Sequence, residues 1–276
     1  SSTSPEGKFT ENAIGGDTFY VQNDSFAPGT TRYNFASKNH LLRPDKKHDF
    51  GILLTFENLN KHTFNIDYFS SSYKTIAQLD YSGIFGLSVD LPCNNPFLSN
   101  QQFTTICTDN GLGLTDTTPL YISRRNIEGN PRQRSFKNST DRFMFNVEGE
   151  LSNEWTYSLD YQNSKTKIEF SYLNDISKSR AAQALNVTGT ALNPSCVIGN
   201  NCKPWNIFTV TDGKIKESAS LGVTQEALDY ISTTLDVDAE LSEDQFRFIS
   251  SKSFLLETKN LESLDLSLGI EYRKLN

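Results

Sequence analysis

Alternation of apolar and polar residues, running into a tight turn and out again, occurs three times along this chain. His48 to Glu57 meets a turn at Asn58 to Lys61 and returns as His62 to Ser70. Asp141 to Leu151 turns at Ser152 to Glu154 and returns as Trp155 to Gln162. Gln245 to Thr258 turns around Lys259 to Glu262 and returns as Leu264 to Arg273. Side chains on a strand point to alternate faces, so each hairpin has an aromatic or aliphatic face and a mostly polar one. Phe50, Ile52, Leu54 and Phe56 oppose Gly51, Thr55 and Glu57, with Leu53 an exception. Trp155, Tyr157, Leu159 and Tyr161 oppose Thr156, Ser158, Asp160 and Gln162. Met144 and Gly149 interrupt the pattern in the second hairpin. Two folds satisfy this alternation. One is a soluble antiparallel sheet with a core face and a wet face. The other is an outer-membrane barrel, apolar outside and polar within, with short turns at one end and long loops at the other.

Composition narrows the choice only partly. Hydrophobic residues make up 36% and the mean hydropathy is -0.48, and no apolar run approaches the ~20 residues of a spanning helix. A barrel survives this test, because only alternate strand residues face lipid and polar loops dilute the average. Tyr (11) and Phe (19) are numerous enough for aromatic girdles, or equally for a soluble core. A net charge of -7 disfavours a nucleic-acid binder, which needs a basic surface to neutralise phosphates.

The four cysteines form two local pairs. Cys196 and Cys202 lie in a loop with two Pro and a Gly, and Cys93 and Cys107 flank a short segment. Disulfides are expected, and with them an oxidising compartment. A metal site is the alternative, but His40, His48 and His62 are far from every Cys and no C-x2-C occurs. The polar opening from Ser1 to Lys8 carries no leader peptide, and Asn276 directly follows a strand; the expectation is a piece of a longer chain.

Between the hairpins, residues 1–47, 71–132 and 174–242 read as loops, although the strand after His62 has residues to continue it to Ala77. Structureless loops of such length are improbable in a compact domain, so short helices are expected within them. Ser99 and Gln102 form a capping box for a helix to Cys107. Ile176 to Leu185 places Ala181, Ala182 and Leu185 on one face. Thr224 caps a helix to Thr233 with Ala227, Leu228 and Ile231 at helical spacing. Residues 108–120 read as turn and loop.

Several stretches, in order, resemble TonB-dependent outer-membrane receptors. They are Tyr33-Asn34-Phe35-Ala36 through Leu41-Leu42-Arg43-Pro44-Asp45-Lys46-Lys47, Asn94-Asn95-Pro96-Phe97-Leu98-Ser99, and Arg124-Arg125-Asn126-Ile127-Glu128-Gly129. Cys202-Lys203-Pro204-Trp205-Asn206-Ile207-Phe208, the helix at Thr224 to Tyr230, and Gly269-Ile270-Glu271-Tyr272-Arg273 complete the series. The resemblance implies an all-β fold, an antiparallel up-and-down transmembrane β-barrel fragment. Residues 1–276 would form one partial barrel domain of about six strands, with long outer loops carrying short helices, out of about 22 strands in all. The plug and closing strands would lie elsewhere. The resemblance further implies an outer-membrane location, contact with outer-membrane lipid, a small nutrient ligand (an iron chelate, a vitamin or an oligosaccharide), and a periplasmic TonB-type energising protein acting through the plug.

No catalytic constellation stands out. There is no G-x-S-x-G, no H-E-x-x-H and no phosphate-binding glycine loop, so neither enzyme activity nor a cofactor is expected. His40, Asp45, His48 and Asp49 read as ordinary strand-start chemistry. The ligand-contact candidates are Tyr121, Arg124, Arg125 and Trp205. Guanidinium forks bind carboxylates and phosphates, and the aromatic rings can stack on a ligand. The competing reading pairs the arginines with carboxylates such as Glu148 or Glu150 and packs the rings within the loops. The alternative to a transporter is a soluble or surface β-protein that binds carbohydrate.

Overall fold

The computed structural model describes residues 3–11, 16–29, 32–58, 61–209, 212–258 and 261–276. Its elements are β1 (Lys8–Thr10), β2 (Thr18–Gln22), β3 (Ser25–Ala27), β4 (Asp45–Glu57), β5 (Thr63–Tyr81), β6 (Gly83–Pro92), α1 (Asn100–Ile106), β7 (Thr117–Arg125), β8 (Pro131–Glu150), β9 (Thr156–Ile176), α2 (Lys178–Leu185), β10 (Val187–Gly189), β11 (Pro194–Cys196), α3 (Gln225–Ile231), β12 (Ser232–Thr258) and β13 (Leu261–Leu275). Strand accounts for 58% of the chain against 12% helix, which makes the fold mostly antiparallel β-sheet. Among the described residues, no helix is long and apolar enough to cross a membrane. The chain divides into two compact units. A sheet unit comprises Pro44–Ile76, Ser135–Ser171 and Asp236–Asn276; a loop unit comprises Ser1–Arg43, Ala77–Arg134 and Tyr172–Leu235.

The sheet unit is built from the order β13-β12-β9-β8-β5-β4, so the three expected hairpins are neighbours in one sheet. Directly opposed residues of an antiparallel pair share a face. Ile52↔Tyr68, Leu54↔Ile66 and Phe56↔Phe64 lie on one side, and Leu53↔Asp67, Thr55↔Asn65 and Glu57↔Thr63 on the other. Phe246↔Tyr272, Phe248↔Ile270, Ser250↔Leu268 and Phe254↔Leu264 repeat the apolar side; Arg247↔Glu271 and Ser251↔Ser267 repeat the polar one. Gly149 interrupts the alternation for a steric reason. A Cβ there would collide with the His62 ring, which lies across β8 and meets the Tyr157 hydroxyl at 3.1 Å. Among the described residues of this unit no apolar side chain is buried, and Phe50, Leu54, Phe56, Leu268 and Ile270 are each more than half exposed.

The loop unit has a core of its own. A five-stranded sheet, β3-β2-β1-β7-β6, packs with the three helices around Phe9, Phe26, Leu91, Ile106, Ile122, Leu185, Trp205, Phe208 and Ile231. The helix caps form as the sequence indicates. Ser99 Oγ accepts from Gln102 N while Gln102 returns the bond to Ser99 N, and Thr224 Oγ1 accepts from Ala227 N. Gln101 of α1 mimics a strand partner for β3, accepting from Phe26 N at 2.7 Å and donating to Phe26 O at 3.1 Å. Both expected disulfides are present, Cys93–Cys107 and Cys196–Cys202.

The segments read as loops contain more strand than expected. Residues 1–47 hold β1, β2, β3 and the first residues of β4; residues 71–132 hold the end of β5, β6, β7 and the start of β8; residues 174–242 hold β10, β11 and the start of β12. The turn-and-loop reading of 108–120 overlaps the first residues of β7. Two causes account for this. The start of β8, Arg132-Gln133-Arg134-Ser135, is polar on both faces, and in the end of β5 the apolar residues Tyr73, Ile76, Leu79 and Tyr81 fall on both faces and break the alternation. The strands β1, β3, β10 and β11 are three residues each, too short to show alternation. In α2, Ala181, Ala184 and Leu185 are buried, Ala182 only partly, and Ile176 ends β9. The turns expected at Asn58 to Lys61 and Lys259 to Glu262 fall partly outside the described residues.

The disulfides differ in accessibility. Cys93 and Cys107 are buried, and their 14-residue separation corresponds to a stabilisation of about 3 kcal/mol. Cys196 and Cys202 are half-buried at a separation of 6, corresponding to about 2 kcal/mol. Mild reduction followed by alkylation and peptide mass mapping should label Cys196 and Cys202 first. Equal labelling of all four would contradict the burial difference.

Candidate functional site

The polar side of the sheet unit carries a continuous line of side-chain hydrogen bonds. Thr55 Oγ1 donates to Asn65 Oδ1 at 2.8 Å, and Asn65 Nδ2 donates to Asn146 Oδ1 at 2.9 Å. Asn146 Nδ2 donates to Asp160 Oδ1 at 2.9 Å, and Arg247 Nε donates to Asp160 Oδ2 at 3.1 Å. The line crosses β4, β5, β8, β9 and β12 and ends opposite Glu271 of β13. Arg142 adds a parallel link to Asp67 at 3.2 Å. Each exposed pair is worth only about 0–1 kcal/mol, but the series gives a wet, hydrogen-bonding surface across the sheet.

The apolar side is bounded by aromatic rows. Near the turns, Phe56 stacks on Phe64 at 5.1 Å and Trp155 meets Phe254 edge-on at 6.4 Å. Lys252 shares this side, and its ammonium donates to Asn153 O in the turn at 2.6 Å, so the charge reaches the end of the band. At the other limit, Tyr68 and Tyr161 donate to Asp141 and Asp244 at 3.2 and 3.4 Å. Past them the same alternation becomes charged: Lys165 and Lys167 pair with Glu240, and Lys137 with Glu169.

In the loop unit, β7 delivers Arg124 and Arg125 to opposite sides of its sheet. Arg124 follows Leu120 and Ile122 into the core. Its guanidinium forks onto Glu128, Nη2 to Oε1 at 2.5 Å and Nη1 to Oε2 at 3.1 Å, and lies 5.7 Å over the Trp205 ring. Gly83 makes this packing possible, since a Cβ there would strike the Arg124 carbonyl. Arg125 instead donates to Tyr81 O at 2.9 Å, stands 3.8 Å from Asp80 Oδ2, and packs near the Phe85 and Tyr33 rings. Burial pulls the Arg125 guanidinium below its ordinary value, with Asp80 opposing and Arg132 adding to the shift. Arg132 bonds Asp80 O and the Tyr172 hydroxyl, and Arg134 lies over the Tyr172 ring.

The four ligand-contact candidates therefore separate. Arg124 and Trp205 come together, but both have 0% exposure, so in this conformation they hold the core and offer no surface to a ligand. Arg125 is nearly buried among Asp80, Tyr33 and Phe85, and Tyr121 is half-buried on the same side of β7 as Arg125. The arginines do pair with carboxylates, yet with Glu128 and Asp80 in place of Glu148 or Glu150. Sequence reasoning missed Tyr33, Asp80, Arg132 and Tyr172; spread along the chain, they carry no local spacing to link them. Glu128 was legible in principle, lying within the Arg124 to Gly129 motif. No family model, curated protein or solved structure matches this chain.

Removing one partner of a buried ion pair strands the other. Glu128→Ala should destabilise the loop unit by about 3–5 kcal/mol, read as a lowered denaturation midpoint by Trp205 fluorescence. A loss below about 1 kcal/mol would show that the pair is not the clamp described. A second measurement concerns Tyr33, whose hydroxyl donates to Asp80 Oδ1 at 3.2 Å. Burial, reinforced by that carboxylate, raises the phenol from 10.0 to about 12. With the folded value above the ordinary one, the stabilisation is complete below pH 10 and is lost as pH rises toward about 12. The stability gap between the native chain and Tyr33→Phe should narrow over that window. A gap that stays constant would contradict it.

Proposed function

We propose that this chain is part of the wall and loops of a TonB-dependent outer-membrane transporter for a scarce nutrient. The supporting observation is the two-sided sheet: an uncovered apolar band between aromatic rows, backed by a hydrogen-bonded polar surface. A transmembrane barrel needs that division, with an apolar exterior, aromatic girdles at both interfaces and a polar interior. Leu264 to Tyr272 is close to the ~9–11 residues of a tilted transmembrane strand. A soluble sheet would bury the side that carries Leu54, Leu268 and Ile270. The ordered motifs noted in the sequence supply the narrower family reading, and the two disulfides fit an oxidising compartment.

On this reading the apolar band faces outer-membrane lipid, and Thr55, Asn65, Asn146, Asp160 and Arg247 line the hydrated interior. A small nutrient is captured on the outside, and a periplasmic TonB-type protein acting on the plug supplies the energy for its passage. The chain performs no covalent chemistry and holds no cofactor.

Neighbouring residues on opposite sides give the test. In the full-length protein, Leu268→Arg should lower the folded outer-membrane fraction, scored by heat-modifiable gel migration. A charge near the bilayer midplane costs about 2–4 kcal/mol. Ser267→Arg, on the polar side, should leave that fraction nearly unchanged. Equal effects of the two variants, or recovery of the native protein as a detergent-free monomer, would sink the barrel reading.

A further inference from the structure

Between β3 and β4, residues 33–42 form neither helix nor strand. Their composition explains this, because Asn34, Ser37 and Asn39 can satisfy nearby backbone groups outside any helix or ladder. Asn34 Oδ1 accepts from Ala36 N at 3.1 Å, and Ser37 Oγ donates to Asn34 O at 3.3 Å. Asn39 N donates to Ala36 O at 3.2 Å. These bonds lie within the segment, so its turn does not depend on the surface it rests on.

That surface is the end of β5. The Tyr33 hydroxyl donates to Asp80 Oδ1 at 3.2 Å, and Asp80 N donates to Asn39 Oδ1 at 2.8 Å. His40 N donates to Gln78 O, and Gln78 Nε2 donates to Lys38 O, both at 3.0 Å. All four bonds end on two residues, Gln78 and Asp80. Apolar burial adds little. No residue of the segment is buried, and Leu41 and Leu42 are 99% and 88% exposed. A segment held by few bonds and little apolar area opens at a lower free energy than a packed core.

Beneath it lies an ion pair that the closed arrangement serves poorly. Asp80 and Arg125 are both buried, with Oδ2 and Nε 3.8 Å apart. Neither atom has a hydrogen-bond partner among the described residues. The guanidinium lies 6.0 Å from the Tyr33 ring and 5.2 Å from the Phe85 ring. Phe85 is itself half-exposed, so lifting Tyr33 removes one of two shields. Buried polar atoms without partners carry a desolvation cost that contact with water recovers. Opening therefore breaks few bonds and gains hydration.

We infer that residues 33–42 are a strap that lifts as a unit from Gln78 and Asp80 and opens the Asp80–Arg125 pair to solvent. The strap belongs to the loop unit alone and stands apart from the transport reading.

Two rates in the full-length protein read the opening. One is hydrogen exchange at His40 N, resolved to single amides. The other is modification of Arg125 by phenylglyoxal, mapped by fragment masses. Tyr33→Phe removes one clamp and alters neither His40 nor its acceptor, so only lifting as a unit carries its effect to His40. That variant should raise both rates at least threefold. Asn39→Ala, which removes a different clamp, should do the same. Exchange at Phe103 N in α1 and modification of the fully buried Arg124 should stay at native values. The inference is overturned if either rate rises less than threefold in either variant. It is also overturned if Phe103 and Arg124 respond in parallel, since the whole unit would then be opening.

Discussion

Everything in the sheet unit depends on register. With a side-chain period of two, a slip of one residue would exchange the apolar and polar sides of a strand. Backbone hydrogen bonds alone do not prevent this, because a slipped ladder satisfies them almost as well. Side chains on both sides supply the discrimination. On the polar side, Thr55, Asn65, Asn146, Asp160 and Arg247 bond only if five strands are aligned together. On the apolar side, the His62 ring needs the gap at Gly149 to reach Tyr157. A glycine within a strand ordinarily weakens it; here its missing side chain makes a lock between three strands.

The loop unit solves a different problem. Its segments come from three separate stretches of chain, so its stability cannot rest on local structure. Long-range tethers recur throughout it. Asn95 Nδ2 donates to Leu185 O, and Gln102 Nε2 donates to Phe208 O at 2.8 Å, both within buried surroundings. The Arg124 fork onto Glu128, lying over Trp205, joins β7 to the chain that follows the second disulfide. Buried polar groups must be paired to be tolerated, and pairing over such distances selects one arrangement of the loops. The same residues that looked like ligand contacts thus serve the arrangement of the loops that could bind one.

How much the sequence discloses follows from these two regimes. The hairpins announce themselves because one side is apolar and period two is visible over many residues, as in Leu264 to Tyr272. The caps at Ser99 and Thr224 are legible because capping is local chemistry within a few residues. The short β2–β3 turn has a local signal in Asn23-Asp24, residue types that tolerate positive φ, and both adopt it as a two-residue hairpin turn requires. The start of β8 is invisible to periodicity because it is polar on both sides, and beyond Ala77, as far as the sequence lets β5 be followed, its apolar residues no longer keep to the side of Phe64 and Ile66. Arg124 and Arg125 look equivalent in sequence, yet alternation along β7 sends one into the core and the other to the Asp80 cluster. The partner of Arg125 could not be chosen from spacing, since Asp80 is paired through tertiary structure, whereas Glu128 lies only four residues after Arg124.

The outer edges of the six-stranded sheet sharpen the argument about what such a sheet is for. β4 and β13 each pair on one side only among the described strands. β13 runs from Leu261 to Leu275 without a proline, and its Leu264, Leu266, Leu268 and Ile270 are exposed. A long, apolar, unpaired edge is an aggregation hazard, which soluble proteins blunt with prolines, bulges or charges directed inward. The described bulge in the β12–β13 pair lies near the turn, between Leu255 and Thr258, and leaves the remainder of β13 regular. Pairing β4 and β13 with further strands would remove both edges, and closure of the sheet would place the apolar band on a continuous exterior. The same physical requirement, that no backbone donor or acceptor be left unmet in hydrocarbon, makes closure a condition of the membrane reading. In water the same edges are a hazard that pairing with further strands removes.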